Sequence, residues 1–354
     1  MNEQVDERRK VAPVERPREP DDIANTILFL AGSDGGWINA QAVRTNSVGR
    51  LRSHETEHGG WSLISIIGVT GRVGGSAASR LLEMNKPVRA VVRDEAKGQV
   101  WASKGASVAV ADMTDGDGLR RAIAGSEAVF VMLPPLFDPS PGFPEAKGLI
   151  DSLSAALRQS EAKRIVALST IGAHVTRPNL LNALHMMEES FRQLPMPVTF
   201  LRPGWFMENH AGDVGSAMSA GIIQSYLQPI EHALPMIATK DIGALAGTLL
   251  LESWSGKRVV ELEAKTRVSS ADIAATLTDI LGKPVKAEPV PRARWEEVFR
   301  AQGMKNPTPR IQMIEGFNEG WIEFEGGFEG SIKGQTPLKT VLEEMVRDAR
   351  KQAA

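Results

Sequence analysis

Residues 62–93, SLISIIGVTGRVGGSAASRLLEMNKPVRAVVR, constrain the fold of this chain more than any other stretch. A short apolar run, Leu63 to Ile67, meets a glycine turn that spans Gly68, Gly71 and Gly74. Ala77, Ala78, Leu81 and Leu82 then fall on one side of a helical pattern, and Val88 to Val92 form a second apolar run. The order strand, glycine loop, helix, strand is the first half of a dinucleotide-binding unit. Each glycine has a separate physical task. Gly68 permits the tight exit from the strand, Gly71 lets a pyrophosphate approach the backbone, and Gly74 lets the helix lie close to the strand. Gly68, Thr70, Gly71, Arg72, Val73 and Gly74 are therefore the expected phosphate-binding set, with the free N–H groups of the helix start as donors. An ordinary strand–helix turn is the competing reading, and the flanking strand and helix weigh against it.

The rest of the chain narrows the class. Its 354 residues suffice for two modest domains or one large one, and a net charge of −2 gives no sign of a nucleic-acid or membrane partner. The absence of cysteine excludes disulfides, thiolate metal ligands and cysteine nucleophiles, and it fits a cytoplasmic protein. No apolar run approaches the roughly 18 residues of a membrane span, and the charged start MNEQVDERRK lacks the apolar stretch of a secretory signal.

Residues 1–60 read as an extension and linker, poorly ordered apart from one helix near 20–32. Within the linker, His54-Glu-Thr-Glu-His58 has the spacing of a zinc-protease helix. No apolar face surrounds it and Gly59-Gly60 stops any helix, so a solvated linker is the reading and no metal is expected. From residue 61 to 205, strand and helix patterns alternate with continuous apolar strands. That pattern calls for an α/β fold, a Rossmann-type doubly wound parallel sheet with helices on both faces. Residues 206–354 are less regular and are expected to form a smaller α/β region that covers the substrate and interleaves with the sheet. Residues 309–324 are expected to form one helix over the cleft, with Ile311, Ile314, Phe317 and Trp321 near helical spacing.

Two resemblances follow from particular motifs. Residues 12–46, with EPDDIANTILFLAGSDGGWINAQ at their centre, resemble the C-terminal tail of an ordinary short-chain dehydrogenase/reductase. Residues 63–347 resemble the NmrA-like family, an atypical branch of that superfamily. The matching pieces are GVTGRVGG (68–75), VRAVVRD (88–94), ADMTD (111–115), EAVFVMLPP (127–135), VALSTIGA (166–173), FLRPGWFMEN (200–209), PMIATKDIG (235–243) and DILGKPV (279–285). The family includes NAD(P)H-dependent quinone reductases, triphenylmethane-dye reductases and non-catalytic redox sensors. The resemblance implies that Asp112 and Met113 flank the adenine and that Leu133 and Pro134 lie along the path from ribose to nicotinamide. It implies also that Ser169 faces the nicotinamide and that Pro203 to Phe206 supply groups near the carboxamide. Ordinary packing is the competing reading for each.

Cofactor choice turns on the end of the second strand, where an acidic residue suits NAD and an arginine suits the phosphate of NADP. Arg93 stands there, with Arg72 as a second cation, and favours NADP(H); the neighbouring Asp94 leaves NAD(H) open. The superfamily's usual tyrosine–lysine pair is missing. The one tyrosine, Tyr226, has Ile230 four residues on, and residues 182–189 contain neither residue type. This suits direct hydride transfer to an electron-poor small molecule such as a quinone, where positioning does most of the catalysis. His185 is the candidate proton donor to a developing oxyanion, against a structural role on its helix. Tyr226 is a candidate pocket hydroxyl, and Asn209 and His210 are candidates to line the acceptor cleft. A non-catalytic NADP(H) redox sensor is the alternative function, and a homodimer is one assembly the sequence admits.

Overall fold

The computed structural model describes residues 62–353, so the readings for residues 1–60, including the helix near 20–32 and the His54–His58 spacing, lie outside the described residues. The first half alternates without interruption: β1 (Ile64–Ile67), α1 (Arg72–Glu83), β2 (Val88–Val92), α2 (Glu95–Ala102), β3 (Ser107–Val110), α3 (Gly116–Ile123), β4 (Ala128–Met132), α4 (Pro144–Arg158), β5 (Arg164–Leu168), α5 (Asn182–Arg192) and β6 (Val198–Pro203). The second half continues with β7 (Trp205–Phe206), a 3₁₀ turn (Met207–His210), α6 (Ala211–Ala220), β8 (Ile222–Ser225), β9 (Met236–Ile237), α7 (Thr239–Leu249), β10 (Lys257–Ala264) and α8 (Ser270–Leu281). It ends with β11 (Lys286–Pro289), a 3₁₀ turn (Arg292–Arg294), α9 (Trp295–Ala301), α10 (Thr308–Asn318), α11 (Gly327–Gly330), β12 (Ile332–Gly334) and α12 (Leu338–Ala353).

Eight strands form one parallel sheet in the order β12-β10-β6-β5-β4-β1-β2-β3. The order reverses between β1 and β4, and a sheet of this kind binds ligands at the carboxyl ends beside that reversal. Successive side chains of a strand point to opposite faces, which divides the apolar residues between two cores. Ile66 and Phe130 join one core with Ala77 and Leu81 of α1 and Ile242 of α7. Ile67, Val129 and Val131 join the other with Leu153 of α4 and Phe191 of α5. This is the doubly wound parallel architecture expected from the alternation. A third core lies under the second half and gathers Val214 and Ala217 of α6, Ile273 of α8, Phe317 of α10 and Leu342 of α12.

The expected helix over 309–324 stops at Asn318. Gly320 takes φ +79°, a left-handed conformation that ends a helix, and Ile322 N–H turns back to the Gly316 carbonyl at 3.0 Å. Trp321 therefore does not continue the Ile311, Ile314, Phe317 face. Among the described residues no helix is long and apolar enough to cross a membrane.

Candidate functional site

The glycine loop is closed by backbone. Gly71 N–H donates to the Gly68 carbonyl at 3.0 Å, and Gly75 N–H donates to Gly71 at 2.8 Å. Gly68 needs its φ of +81° for the exit from β1. A Cβ on Gly74 would sit 2.4 Å from the Gly68 carbonyl oxygen, so only glycine lets α1 start so near β1. Gly71 caps α1 with no side-chain hydrogen bond, and no acidic residue occupies the first turn. Thr70, Gly71 and Arg72 form an exposed lip, while Val73 and Gly74 are buried, so Val73 offers the site its backbone and not its side chain. The result is an uncapped helix start with open backbone donors at the sheet's reversal point, which fits the pyrophosphate of a dinucleotide.

The loop is braced from the second half. Gly243 of α7 lets α1 cross at close range, since a Cβ there would meet Ser76 Cβ at 2.3 Å, and Ser76 Oγ donates to the Lys240 carbonyl at 3.0 Å. Glu208 accepts from Thr239 N–H at 2.9 Å and from its hydroxyl at 2.6 Å, satisfying the start of α7. Arg72 Nη1 donates to the Glu208 carbonyl at 3.4 Å, so its guanidinium is turned toward the 207–210 turn.

At the end of β2 the two candidate selectors separate. The Asp94 carboxylate accepts from Ala96 N–H at 2.9 Å and caps α2, whereas Arg93 is exposed and has no helix to cap. Asp112, past β3, accepts from the Thr114 hydroxyl at 2.6 Å and from its N–H at 2.8 Å. These bonds, with a smaller contribution from the Arg93 charge, hold its carboxyl below the usual range. Arg93 and Asp112 are thus near each other past the ends of β2 and β3, with Met113 packed on the core beside them. Leu133 is buried past β4 and Pro134 is half-buried next to it.

Farther along the carboxyl edge, the hydroxyl of Ser169 donates to Glu188 Oε1 at 2.5 Å. Glu188 and Arg202 form a buried fork–fork pair, with Nε to Oε1 at 2.8 Å and Nη2 to Oε2 at 2.6 Å. Arg202 also binds Glu325. Burial works against the charge on Arg202, but its bonds to Glu188 and Glu325 outweigh it and raise the guanidinium above its usual range. With its proton committed to Glu188, Ser169 can accept a hydrogen bond but not donate one. His185 Nδ1 donates to the Ala173 carbonyl at 2.8 Å, which anchors the loop past β5. Its neutral ring is therefore protonated on Nδ1, and Nε2 could serve as an oxyanion donor only in the imidazolium form.

The turn after β6 is fixed by close approach. A Cβ on Gly204 would meet the Pro235 carbonyl oxygen at 2.5 Å, and the Pro203 carbonyl accepts from Ile171 N–H at 2.9 Å. Phe206 packs on the core of α1 and Trp205 on the second-half core, where its ring meets Phe317 edge-on at 5.2 Å. Asn209 is exposed. His210 is buried and its Nδ1 pairs with Asp213 at 2.8 Å. Trp205 Nε1 and His210 Nε2 are both buried with no partner among the described residues. Both atoms are sealed from solvent on either side of the 207–210 turn.

Tyr226 lies in the second-half core, against Trp295 at 5.8 Å and Phe299 at 4.9 Å, and none of its contacts is with the glycine loop or Ser169. Burial pushes its hydroxyl above the usual range, with Arg310 and Gln302 acting the other way. A groove of about 310 Å³ lined by Val259, Val260, Glu261, Glu325, Gly330 and Ile332 lies along β10 and β12, and none of the residues above except Glu325 borders it.

Sequence reasoning missed the Glu188–Arg202 pair and the bracing role of Glu208. For the first a signal existed: an arginine inside the apolar run VTFLRP has to find a buried acid.

Comparison with known proteins gives the same frame. The model of the NmrA-like family matches residues 61–323. An NAD(P)H azoreductase of Xenophilus azovorans is 25% identical over 243 residues, covering 68% of this chain and 82% of that protein. Triphenylmethane reductase of Citrobacter sp. superposes with a TM-score of 0.67 at 20% identity, over 80% of this chain and 99% of that one. The NADPH complex of the quinone oxidoreductase QOR2 of Escherichia coli gives 0.65 at 21%, over 80% and 99%.

Proposed function

The chain belongs to the NmrA-like family, and from that premise we propose an NAD(P)H-dependent oxidoreductase that favours NADPH and reduces a quinone or a similarly electron-poor acceptor. The observation that carries the cofactor preference is the division of labour at the end of β2. One carboxylate oxygen of Asp94 is engaged as the cap of α2, which turns the side chain toward that helix, and the exposed Arg93 is uncommitted and can meet a 2′-phosphate.

When bound, the reduced nicotinamide supplies the hydride. The chain's own part is to hold and position. The backbone donors of 70–74 hold the pyrophosphate. Leu133 and Pro134 wall the path along the sheet edge, and Ser169, fixed by Glu188, offers an acceptor oxygen there. Trp205 and Phe317, in edge-on contact, fix the turn past β6 beside it. No tyrosine–lysine pair stands beside Ser169, so an acceptor that stabilises the added charge itself is favoured, with its proton taken from solvent. The relatives named an azoreductase and a quinone oxidoreductase act on acceptors of that electronic type.

The test is NADPH and NADH titration followed by steady-state consumption with a panel of quinones and azo compounds. Turnover with NADPH well above NADH is expected. Tight NADPH binding with no turnover on any acceptor would replace the reductase by a redox-sensing binding protein.

A further inference from the structure

Ser169 has a lone pair that the fold leaves unfilled. Its hydroxyl donates to Glu188 Oε1 at 2.5 Å. Glu188 has no proton to return, because Arg202 donates to both of its oxygens and Arg192 to one of them. Two other buried serines also give their proton to a carboxylate, Ser269 to Asp272 at 2.6 Å and Ser331 to Glu263 at 2.6 Å. Each of those receives a donor in return: Asp272 N–H reaches Ser269 Oγ at 3.1 Å, and Lys333 Nζ reaches Ser331 Oγ at 2.6 Å. Among the described residues no N–H or O–H is directed at Ser169 Oγ. Ser169 is 5% exposed, so it is enclosed but not sealed. A hydroxyl with its donor role spent and its acceptor role unfilled is a place for an incoming donor.

Its place in the sheet says which donor. Ser169 follows β5, at the carboxyl edge. The order β5-β4-β1 puts it two strand spacings, about 10 Å, from the glycine loop. It lies across the reversal from β2, whose end meets the adenosine ribose of a bound dinucleotide. A dinucleotide held at the loop therefore directs its nicotinamide half toward β4 and β5. The nicotinamide ring has one N–H donor group, its carboxamide NH2. The turn past β6 borders the same edge, but its backbone groups are committed. Pro203 O accepts from Ile171 N–H at 2.9 Å, Gly204 N–H donates to Leu262 O at 2.9 Å, and Trp205 N–H donates to Pro235 O at 2.8 Å.

We propose that Ser169, its proton fixed by the Glu188–Arg202 pair, accepts the hydrogen bond of the nicotinamide carboxamide NH2 and so selects the substituent on that ring. An unrestrained serine could donate or accept; here the ion pair leaves it acceptor only. A ring substituent with a carbonyl and no N–H would meet lone pair with lone pair. Glu188 acts through Ser169 and is a positioning residue. The proposal rests on the cofactor half of the reading above, and it concerns binding, not turnover.

The test is direct binding to the full-length protein, followed by tryptophan fluorescence. NADP⁺ is compared with its 3-acetylpyridine analogue, which keeps the carbonyl and has a methyl group in place of NH2. Wild type should bind NADP⁺ about three- to tenfold more tightly, the worth of one hydrogen bond. Ser169→Ala should remove most of that ratio by weakening NADP⁺, and Ser169→Thr, which keeps a hydroxyl, should restore part of it. The double variant Glu188→Leu with Arg202→Met frees the hydroxyl to donate to the acetyl carbonyl, so the ratio should shrink there by tighter binding of the analogue. Equal binding of the two dinucleotides by wild type overturns the proposal, and this comparison needs no variant to fold. A wild-type ratio in a folded Ser169→Ala overturns it too, and one in the folded double variant overturns the positioning role of Glu188. Selective binding without NADPH turnover on any acceptor would sink the reductase reading and keep the carboxamide contact. Turnover on quinones with equal binding of the two dinucleotides would do the reverse.

Discussion

At residues 68–75 the proposed phosphate site is made of backbone. Its donors are N–H groups, its shape is set by two glycine close approaches, and its exposed side chains are those of Thr70 and Arg72. At the proposed acceptor end, beyond β6, the site would be made of side chains: Trp205, His210 and Phe317, drawn from three separate elements. A backbone site tolerates almost no change at a few positions and is indifferent to the rest. A side-chain site can lose any single member and keep its shape, because α10, α7 and the 207–210 turn hold the frame. Substitutions should therefore act abruptly at the first and by degrees at the second.

The sharpest test of that contrast is Gly71→Asp. Gly71 is exposed on the loop lip, so the fold should accept the side chain, while its carboxylate would stand against the pyrophosphate. Like charges so placed cost several kcal/mol, and NADPH titration should show no binding in the accessible range. Retained affinity in a folded variant would mean that the loop is not the phosphate site.

Next in size is the Glu188–Arg202 pair, which connects the two ends. Both are buried, and Glu188 also fixes the Ser169 hydroxyl. Glu188→Leu leaves the Arg202 charge with Glu325 as its acid and should cost roughly 3–5 kcal/mol in a denaturant titration. The double variant Glu188→Leu with Arg202→Met should recover much of that loss, since neither charge is then left unpaired. If the single change costs no more than about 1 kcal/mol, the pair does not hold the sheet edge to α5.

The same contrast explains what could be read in advance. Strand β1, the glycine loop and α1 announce themselves because apolar period and glycine placement are local. The end of β2 was half-legible. Asp94-Glu-Ala is a recognisable helix start, and reading it so gives Asp94 a capping role that competes with a cofactor role. The acceptor end was not legible for physical reasons. Strands β7 and β9 have two residues each, too few to show any period, and α6 contains Gly212 and Gly215, which weaken a helix on propensity alone. Trp321 was placed on α10 because its spacing fitted, and Gly320 overrode that spacing.

Arg93→Ala is the third test, and it concerns the side chain proposed to give the backbone site its selectivity. NADPH should bind about 10- to 100-fold more weakly, the worth of one or two charge-assisted bonds, while NADH changes by no more than about twofold. Equal losses for both would show that Arg93 acts on the shared part of the cofactor or only on the fold.

The smallest effect is expected at His185. Its Nδ1–H holds the Ala173 carbonyl, and an asparagine can place an amide N–H near the same point while removing Nε2 altogether. His185→Asn should therefore leave quinone turnover within about threefold, with the pH profile unchanged. A loss of 10²-fold or more is the magnitude of a lost general acid. If it came with wild-type activity that fell as the pH rose through the range where histidine gives up its proton, the ring would be an imidazolium donor and not an anchor. The acceptor end would then depend on one side chain as sharply as the loop depends on its glycines, and the contrast between the two ends would fail at that position.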